Sequence, residues 1–231
     1  MLDRDDFPPS SSALDDPNGL LAVGGDLSAE RLLQAYRRGI FPWYEEPQPI
    51  MWWTPDPRSV LWLENLHVSR SLRRTLRRDH FRLSVDQRFR EVMMACAGER
   101  TGSRGTWIGT AMLAAYCRLH GLGYAHSIEV LDVHGELVGG LYGVAIGGAF
   151  FGESMFSRRT DASKVALVAL VMILRRGGFT LIDCQVESDH LNSMGAKNVR
   201  RLDFEETLAQ TTAVESDPGI WTLPATCGGL L

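Results

Sequence analysis

The sequence predicts a mixed fold of the α+β or α/β class in two parts. A small N-terminal unit spans residues 1–62, and a larger domain built on a mixed sheet spans residues 63–231. Three observations carry this. The rhythm changes along the chain: residues 1–62 are punctuated by Pro, Gly and Trp, whereas from Ala125 onward short apolar strands alternate with Gly-rich turns. Phe150–Gln185 reads strand, helix, strand, a crossover that makes its two strands parallel neighbours. The size of 231 residues, 45% hydrophobic and 23% charged, suits a small domain joined to a medium one, with an ordinary soluble composition.

Phe7-Pro8-Pro9, Asp16-Pro17-Asn18-Gly19 and Gly24-Gly25-Asp26 predict consecutive turns, pinned to the body by Leu20–Val23. The early acids Asp3, Asp5 and Asp6 leave no apolar stretch for a secretory signal. Ser28 caps a helix over Ala29–Arg38, with Glu30 in its first turn, Gly39 as its stop, and Leu32, Leu33 and Tyr36 on one face. Between Ile40 and Arg58, three of the six tryptophans fall within eleven positions, framed by prolines. They either cement a small irregular unit or offer an aromatic wall on which a base or an apolar side chain stacks. Val60–Leu63 reads as a strand. In the next helix Arg70, Arg73, Arg74, Arg77 and Arg78 form one stripe. From Arg70 to Arg104 ten arginines stand against four acids, in a chain whose net charge is -4. Charge this segregated points to contact with RNA or DNA phosphates rather than to a solvated face.

A helix over Val85–Ala97, a polar loop over Gly98–Gly105 and a helix over Trp107–His120 capped by Thr106 follow. Strands are expected over Ala125–Asp132, Leu137–Ile146 and Ala149–Phe156, with Gly139, Gly140 and Gly143 marking bulges or close backbone approach. The helix Ala162–Arg176 ends at Gly177-Gly178, and the strand Phe179–Gln185 follows. A short helix over His190–Gly195, a strand over Asn198–Leu202 and a helix over Phe204–Thr211 complete the pattern. This β-β-β-α-β-α-β order resembles an acetyltransferase-type (GNAT-like) domain. In that fold the coenzyme A pyrophosphate rests on glycine-rich backbone at the start of the crossover helix. Here the bend Ser157–Lys164 holds no glycine, which weighs against coenzyme A and toward an acyl group carried on RNA. The four cysteines show no CxxC spacing and no Cys/His set, so reduced thiols in a cytosolic protein and no metal are expected. The longest apolar run, Val165–Leu174, is too short to span a bilayer.

The ends of the two crossover strands bring Glu153, Asp183 and Gln185 toward one pocket walled by aromatic and sulfur side chains. Around them stand Asp16–Ala22, Gly24–Ser28, Arg38–Trp43, Trp52–Arg58, Thr106–Ile108, Ala125–Glu129, Leu137–Val144, Gly152–Ser157, Ala162–Lys164 and Leu181–Gln185. Together these stretches resemble the bacterial leucyl/phenylalanyl-tRNA–protein transferases, in the family's order and over nearly all of residues 7–204. The resemblance implies a cytoplasmic, monomeric enzyme without cofactor. It would move Leu or Phe, and less well Met, from Leu-tRNA or Phe-tRNA to proteins beginning with Arg or Lys, marking them for degradation. It also implies an aminoacyl pocket lined by Leu141, Phe150, Met155 and Ile182, with Trp52, Trp53 and Trp107 near the tRNA's terminal adenosine.

The chemistry sets the remaining demands. An attacking α-amine must be neutral, and its ordinary pKa is about 7.7–8.0, so a carboxylate is needed to take the proton. Asp183 is the first candidate and Glu153 the second. The Gln185 carboxamide suits the developing oxyanion. Alternatively, Asp183 orients Gln185 and the tRNA's own hydroxyl relays the proton. Glu187 and Asp189 add acids for a cationic acceptor side chain or lie in an exposed loop. Competing readings are a coenzyme A acetyltransferase and a non-catalytic RNA-binding module.

Overall fold

The computed structural model describes residues 6–98, 108–214 and 217–231. In its N-terminal part, β1 (Leu20–Val23), β2 (Phe41–Pro42) and β3 (Met51–Trp53) form a small antiparallel sheet in the order β1-β3-β2, beside α1 (Ala29–Arg37). The start and stop of α1 follow from its ends. The Ser28 hydroxyl accepts the N–H of Arg31, Glu30 occupies the first turn, and Gly39 takes a φ of 71° that a side chain rarely adopts. The next strand, β4 (Arg58–Trp62), belongs to the large sheet and is hydrogen-bonded on both sides there, although the boundary expected after residue 62 placed it in the small unit.

The remaining elements are α2 (Arg70–Arg78), β5 (Arg82–Val85), α3 (Phe89–Gly98), α4 (Thr110–Gly121), β6 (Ala125–Leu131), β7 (Leu137–Ile146), β8 (Ala149–Ser157) and α5 (Ala162–Arg176), then β9 (Leu181–Gln185), α6 (Asp189–Ser193), β10 (Lys197–Val199) and α7 (Arg201–Thr211). Seven strands form the mixed sheet β10-β4-β9-β8-β7-β6-β5. Among the described residues only β8 and β9 pair in parallel, joined by the α5 crossover. Helix α5 covers one face, while α1, α3 and α4 cover the other. With both faces covered, all ten residues of β7 are buried. Eleven of the fifteen α5 residues are buried too, because the C-terminal segment packs against its outer side.

Several elements differ from expectation: β2 and β3 were not expected as strands, and α3 begins at Phe89 rather than Val85. β5 is an edge strand of four residues with only Leu83 fully buried, too short for its Arg-Leu-Ser-Val alternation to stand out. The last strand stops at Val199, and α7 begins at Arg201, whose N–H donates to Asp56 Oδ1 and whose guanidinium reaches the Thr54 carbonyl. Helix α4 begins at Thr110, and the expected cap Thr106 lies outside the described residues, as does Trp107.

Candidate active site

Two backbone irregularities build the site. Along the β7–β8 pair Tyr142 faces Ser154 and Gly143 faces Gly152, so Glu153 is an extra residue bulged out of the ladder. Gly143 permits the close approach: a Cβ there would run into the Phe151 carbonyl oxygen. Along β4–β9, Ser59 faces Gln185 and Val60 faces Asp183, so Cys184 is extra, and Gln185 takes a left-handed φ of 62°. The last parallel pair of β8 and β9 is Phe151 with Asp183. Beyond it the strands part, and the two irregular segments aim Glu153 and Gln185 at the gap. A left-handed glutamine is disfavoured by sterics. It is held here by its N–H to Asp183 Oδ1 at 2.9 Å and its Nε2 to Glu153 Oε1 at 2.8 Å.

Glu153 is partly buried and collects three donors. Tyr36 donates to Oε1 at 2.8 Å, Tyr116 to Oε2 at 2.9 Å, and Gln185 supplies the third. The Tyr36 and Tyr116 hydroxyls also touch each other. Burial pushes the Glu153 carboxyl up to about 7, against the three hydrogen bonds that pull it down. Burial, followed by the charge of Glu153, holds both tyrosines well above their ordinary range. Neither tyrosine stood out in the sequence beyond its place on an apolar helix face. The available signal is that a buried tyrosine hydroxyl requires a partner.

Asp183 differs from its expected setting. It is 0% exposed and bound by both oxygens to Arg58, with Nε to Oδ1 at 2.8 Å and Nη2 to Oδ2 at 2.7 Å. The Arg58 guanidinium is itself buried between the rings of Phe41 and Phe204, 4.8 Å from each centroid. Asp183 therefore has no face on the cleft from which to take a substrate proton. Its Oδ1 also accepts the Gln185 backbone N–H.

At the gap opens a cleft of about 550 Å³. Leu141, Phe150, Met155 and Ile182 line it, joined by Leu167 and Leu170 of α5. Glu153 and Gln185 also line it. Of the other acids Glu187 reaches the rim, with its oxygens accepting from Asn192 and Asn198 at 2.7 and 2.5 Å, whereas Asp189 is exposed and outside the lining. Trp43, 42% exposed, presents itself to the cleft. Trp53 supports it by an indole N–H to the Trp43 carbonyl at 2.6 Å. Trp52 is 0% exposed, bonded to the Gly24 carbonyl and packed edge-on against Phe7, so no face of it is open to a base. All five arginines of α2 are exposed, while Leu72 and Leu76 anchor the helix. Thr75 ties α2 to Asp161, before α5, at 2.7 Å. Burial pushes the Cys184 thiol up, so it stays protonated, and the Ser157 hydroxyl donates to the Arg159 carbonyl. Among the described residues no group of three His, Cys, Asp or Glu could hold a metal ion, and no helix is long and apolar enough to cross a membrane.

An apolar bay that ends on a carboxyl and a carboxamide sets a proton acceptor and a hydrogen-bond donor beside an apolar surface, and the family match gives the class, an acyltransferase. The chain belongs to the leucyl/phenylalanyl-tRNA protein transferase family, which matches residues 60–209, with that family's N-terminal domain matching residues 25–56. It is 59% identical to the leucyl/phenylalanyl-tRNA–protein transferase of Stutzerimonas stutzeri (strain A1501), over 90% of this chain and 92% of that one. The corresponding protein of Thiobacillus denitrificans is 59% identical over 94% of each chain. That of Aromatoleum aromaticum is 58% identical over 96% of this chain and 93% of its own. Among solved structures, L-PGS from Bacillus licheniformis aligns with a TM-score of 0.40 and 12% identity, over 78% of this chain and 62% of that one, too weak a likeness to classify the fold. The chain is an aminoacyltransferase.

Proposed function

We propose that the protein moves Leu or Phe, and less readily Met, from tRNA onto the N-terminal Arg or Lys of other proteins and so marks them for degradation. It acts in the cytoplasm as a monomer, without metal or cofactor. The observation that carries this reading is the continuity of the cleft: an apolar bay opens directly onto Glu153 and Gln185 where β8 and β9 part. The bay takes the aminoacyl side chain, and the thioether of Met155 lets it adapt to both Leu and Phe. Trp43 offers a stacking surface to the terminal adenine, and the α2 arginines take phosphates. We read the residues before β4 as the unit that carries Trp43 to the cleft. The GNAT-like reading of the larger domain rests on its antiparallel meander, crossover helix and parallel partner strand.

In this reading Glu153, not Asp183, accepts the proton of the acceptor's α-amine. A carboxyl near 7 is matched to an amine whose ordinary pKa is about 7.7–8.0. One N–H of Gln185 holds Glu153, and the second is left for the oxyanion. Asp183, charge-balanced by Arg58, positions the Gln185 backbone. Glu187, held by two amides at the rim, meets the acceptor's cationic side chain. The test is to incubate the protein with labelled Leu-tRNA and matched peptides beginning with Arg, Lys or Asp. Leucine should appear on the first two only. Acetylation from acetyl coenzyme A, or tRNA binding with no product, would overturn the proposal.

A further inference from the structure

Three oxygen-bearing groups from three separate elements meet around Glu153: the Tyr36 hydroxyl from α1, the Tyr116 hydroxyl from α4 and the carboxyl itself from β8. They make a closed triangle. Tyr36 touches Tyr116, Tyr36 touches Oε1, and Tyr116 touches Oε2. Each side of the triangle needs one hydrogen, and each hydroxyl brings one. With Glu153 ionised, both hydrogens point to the carboxylate and the side between the hydroxyls has none. A single added proton completes the ring: the carboxyl donates to one tyrosine, that tyrosine to the other, and the second tyrosine back to the carboxyl.

We infer that Tyr36 and Tyr116 are positioning residues that close this ring, and that the ring stores the proton released from the acceptor's amine during transfer; this rests on the function proposed above. The ammonium first gives one proton to the ring. The neutral amine then attacks the ester carbonyl, so that a C–N bond forms and the bond from carbonyl carbon to ribose oxygen breaks. The second nitrogen proton leaves with the ribose oxygen as its hydroxyl. The net yield is an amide, a free ribose hydroxyl and one proton, which the ring later returns to solvent.

The surroundings favour storage over simple ionisation. Both tyrosines are 0% exposed, and Tyr36 is backed by the Phe151 ring and Tyr116 by the Tyr142 ring. Both hydroxyls are held well above their ordinary range, so they keep their hydrogens and remain donors. The other groups facing the ring are the Gln185 amide of β9, which donates to Oε1, and Tyr142 of β7 and Asp183 beneath it, whose charge Arg58 balances.

The experiment is the pH profile of single-turnover leucine transfer from Leu-tRNA to an Arg-peptide by Y36F and Y116F. Losing either hydroxyl takes two hydrogen bonds from the protonated ring and only one from the ionised state. The acid limb should therefore move down by about one unit in each variant, the worth of one hydrogen bond, and a limb that stays put or moves up, as for a carboxylate that merely loses a donor, overturns the proposal whatever happens to the rate. If Y36F does not fold, Y116F reads the same ring from the other side. Carboxyl carbon NMR on the labelled protein, with Glu153 assigned by E153Q, must show the same downward shift of the Glu153 midpoint without any substrate. If the wild type transfers no leucine, the proposed function fails, whereas an NMR midpoint that stays put or rises in both variants defeats the ring alone.

Discussion

Replacing Asp183 with Asn separates the two roles that a carboxylate at that position can have. The substitution removes the charge and leaves Arg58 buried opposite a neutral amide. Breaking a buried pair by neutralising one partner costs about 3–5 kcal/mol. The Asn carbonyl oxygen can still accept the Gln185 N–H, and the Phe41 and Phe204 rings still flank the guanidinium. The expected cost is thus near the lower end, about 3 kcal/mol. For a chain of this length each kcal/mol moves Tm by about 2–4 °C, so Tm should fall by about 6–12 °C. The assay pairs thermal unfolding with single-turnover leucine transfer at 20 °C, where the variant is still folded. The rate should stay within about tenfold of wild type, because neither the base nor the oxyanion donor has been removed. A rate loss of about 10²-fold or more with Tm almost unmoved is the signature of a missing general base, and would refute the reasoning.

Glu153→Gln should abolish the rise of transfer with pH through about 7, because the neutral amide cannot take the amine's proton. Its effect on stability has the opposite sign. The folded-state pKa of Glu153 lies above the unfolded value, so this group's contribution is greatest below the ordinary carboxyl range and is lost as pH rises toward about 7. E153Q should therefore melt above wild type at pH 8 and level with it near pH 4; equal melting at both values would mean that the carboxyl is not raised. Trp43→Ala should raise KM for Leu-tRNA by about 5- to 150-fold, the worth of one stacked base, and an unchanged KM would remove the stacking role. Replacing Arg73, Arg74 and Arg77 together with Ala should weaken tRNA binding and flatten the slope of log affinity against log salt by about 0.7–0.9 for each phosphate that the helix no longer neutralises. An unchanged slope would leave the stripe facing solvent.

Much of the architecture was readable because it depends on local chemistry. Ser28, Glu30 and Gly39 mark the ends of α1 on their own, and the apolar crossover between β8 and β9 dictates a parallel pair. The apolar lining residues Leu141, Phe150, Met155 and Ile182 came from the family resemblance, and the structure adds their register: Phe150 is opposite Ile182 across that pair, and Leu141 faces Met155 across the next. What escaped depends on long-range pairing. Arg58 and Asp183 are 125 positions apart, and only the packing of β4 beside β9 brings them together. An acid next to a predicted pocket therefore looked open to substrate, whereas in the fold a guanidinium covers it. The glycines of β7 signalled a bulge, but which β8 residue it would expel was a matter of register. Trp43 and Trp52 look alike in the sequence, and only the fold turns one to the cleft and the other into the core.

The most direct test of the account is a structure of the protein with leucyl-adenosine joined by an amide in place of the ester. The leucine side chain should lie between Leu141, Phe150, Met155 and Ile182, with its carbonyl oxygen about 3 Å from Gln185 Nε2 and the adenine against Trp43. An analogue bound with its carbonyl beyond reach of both Gln185 and Glu153, or seated outside the cleft, would contradict it.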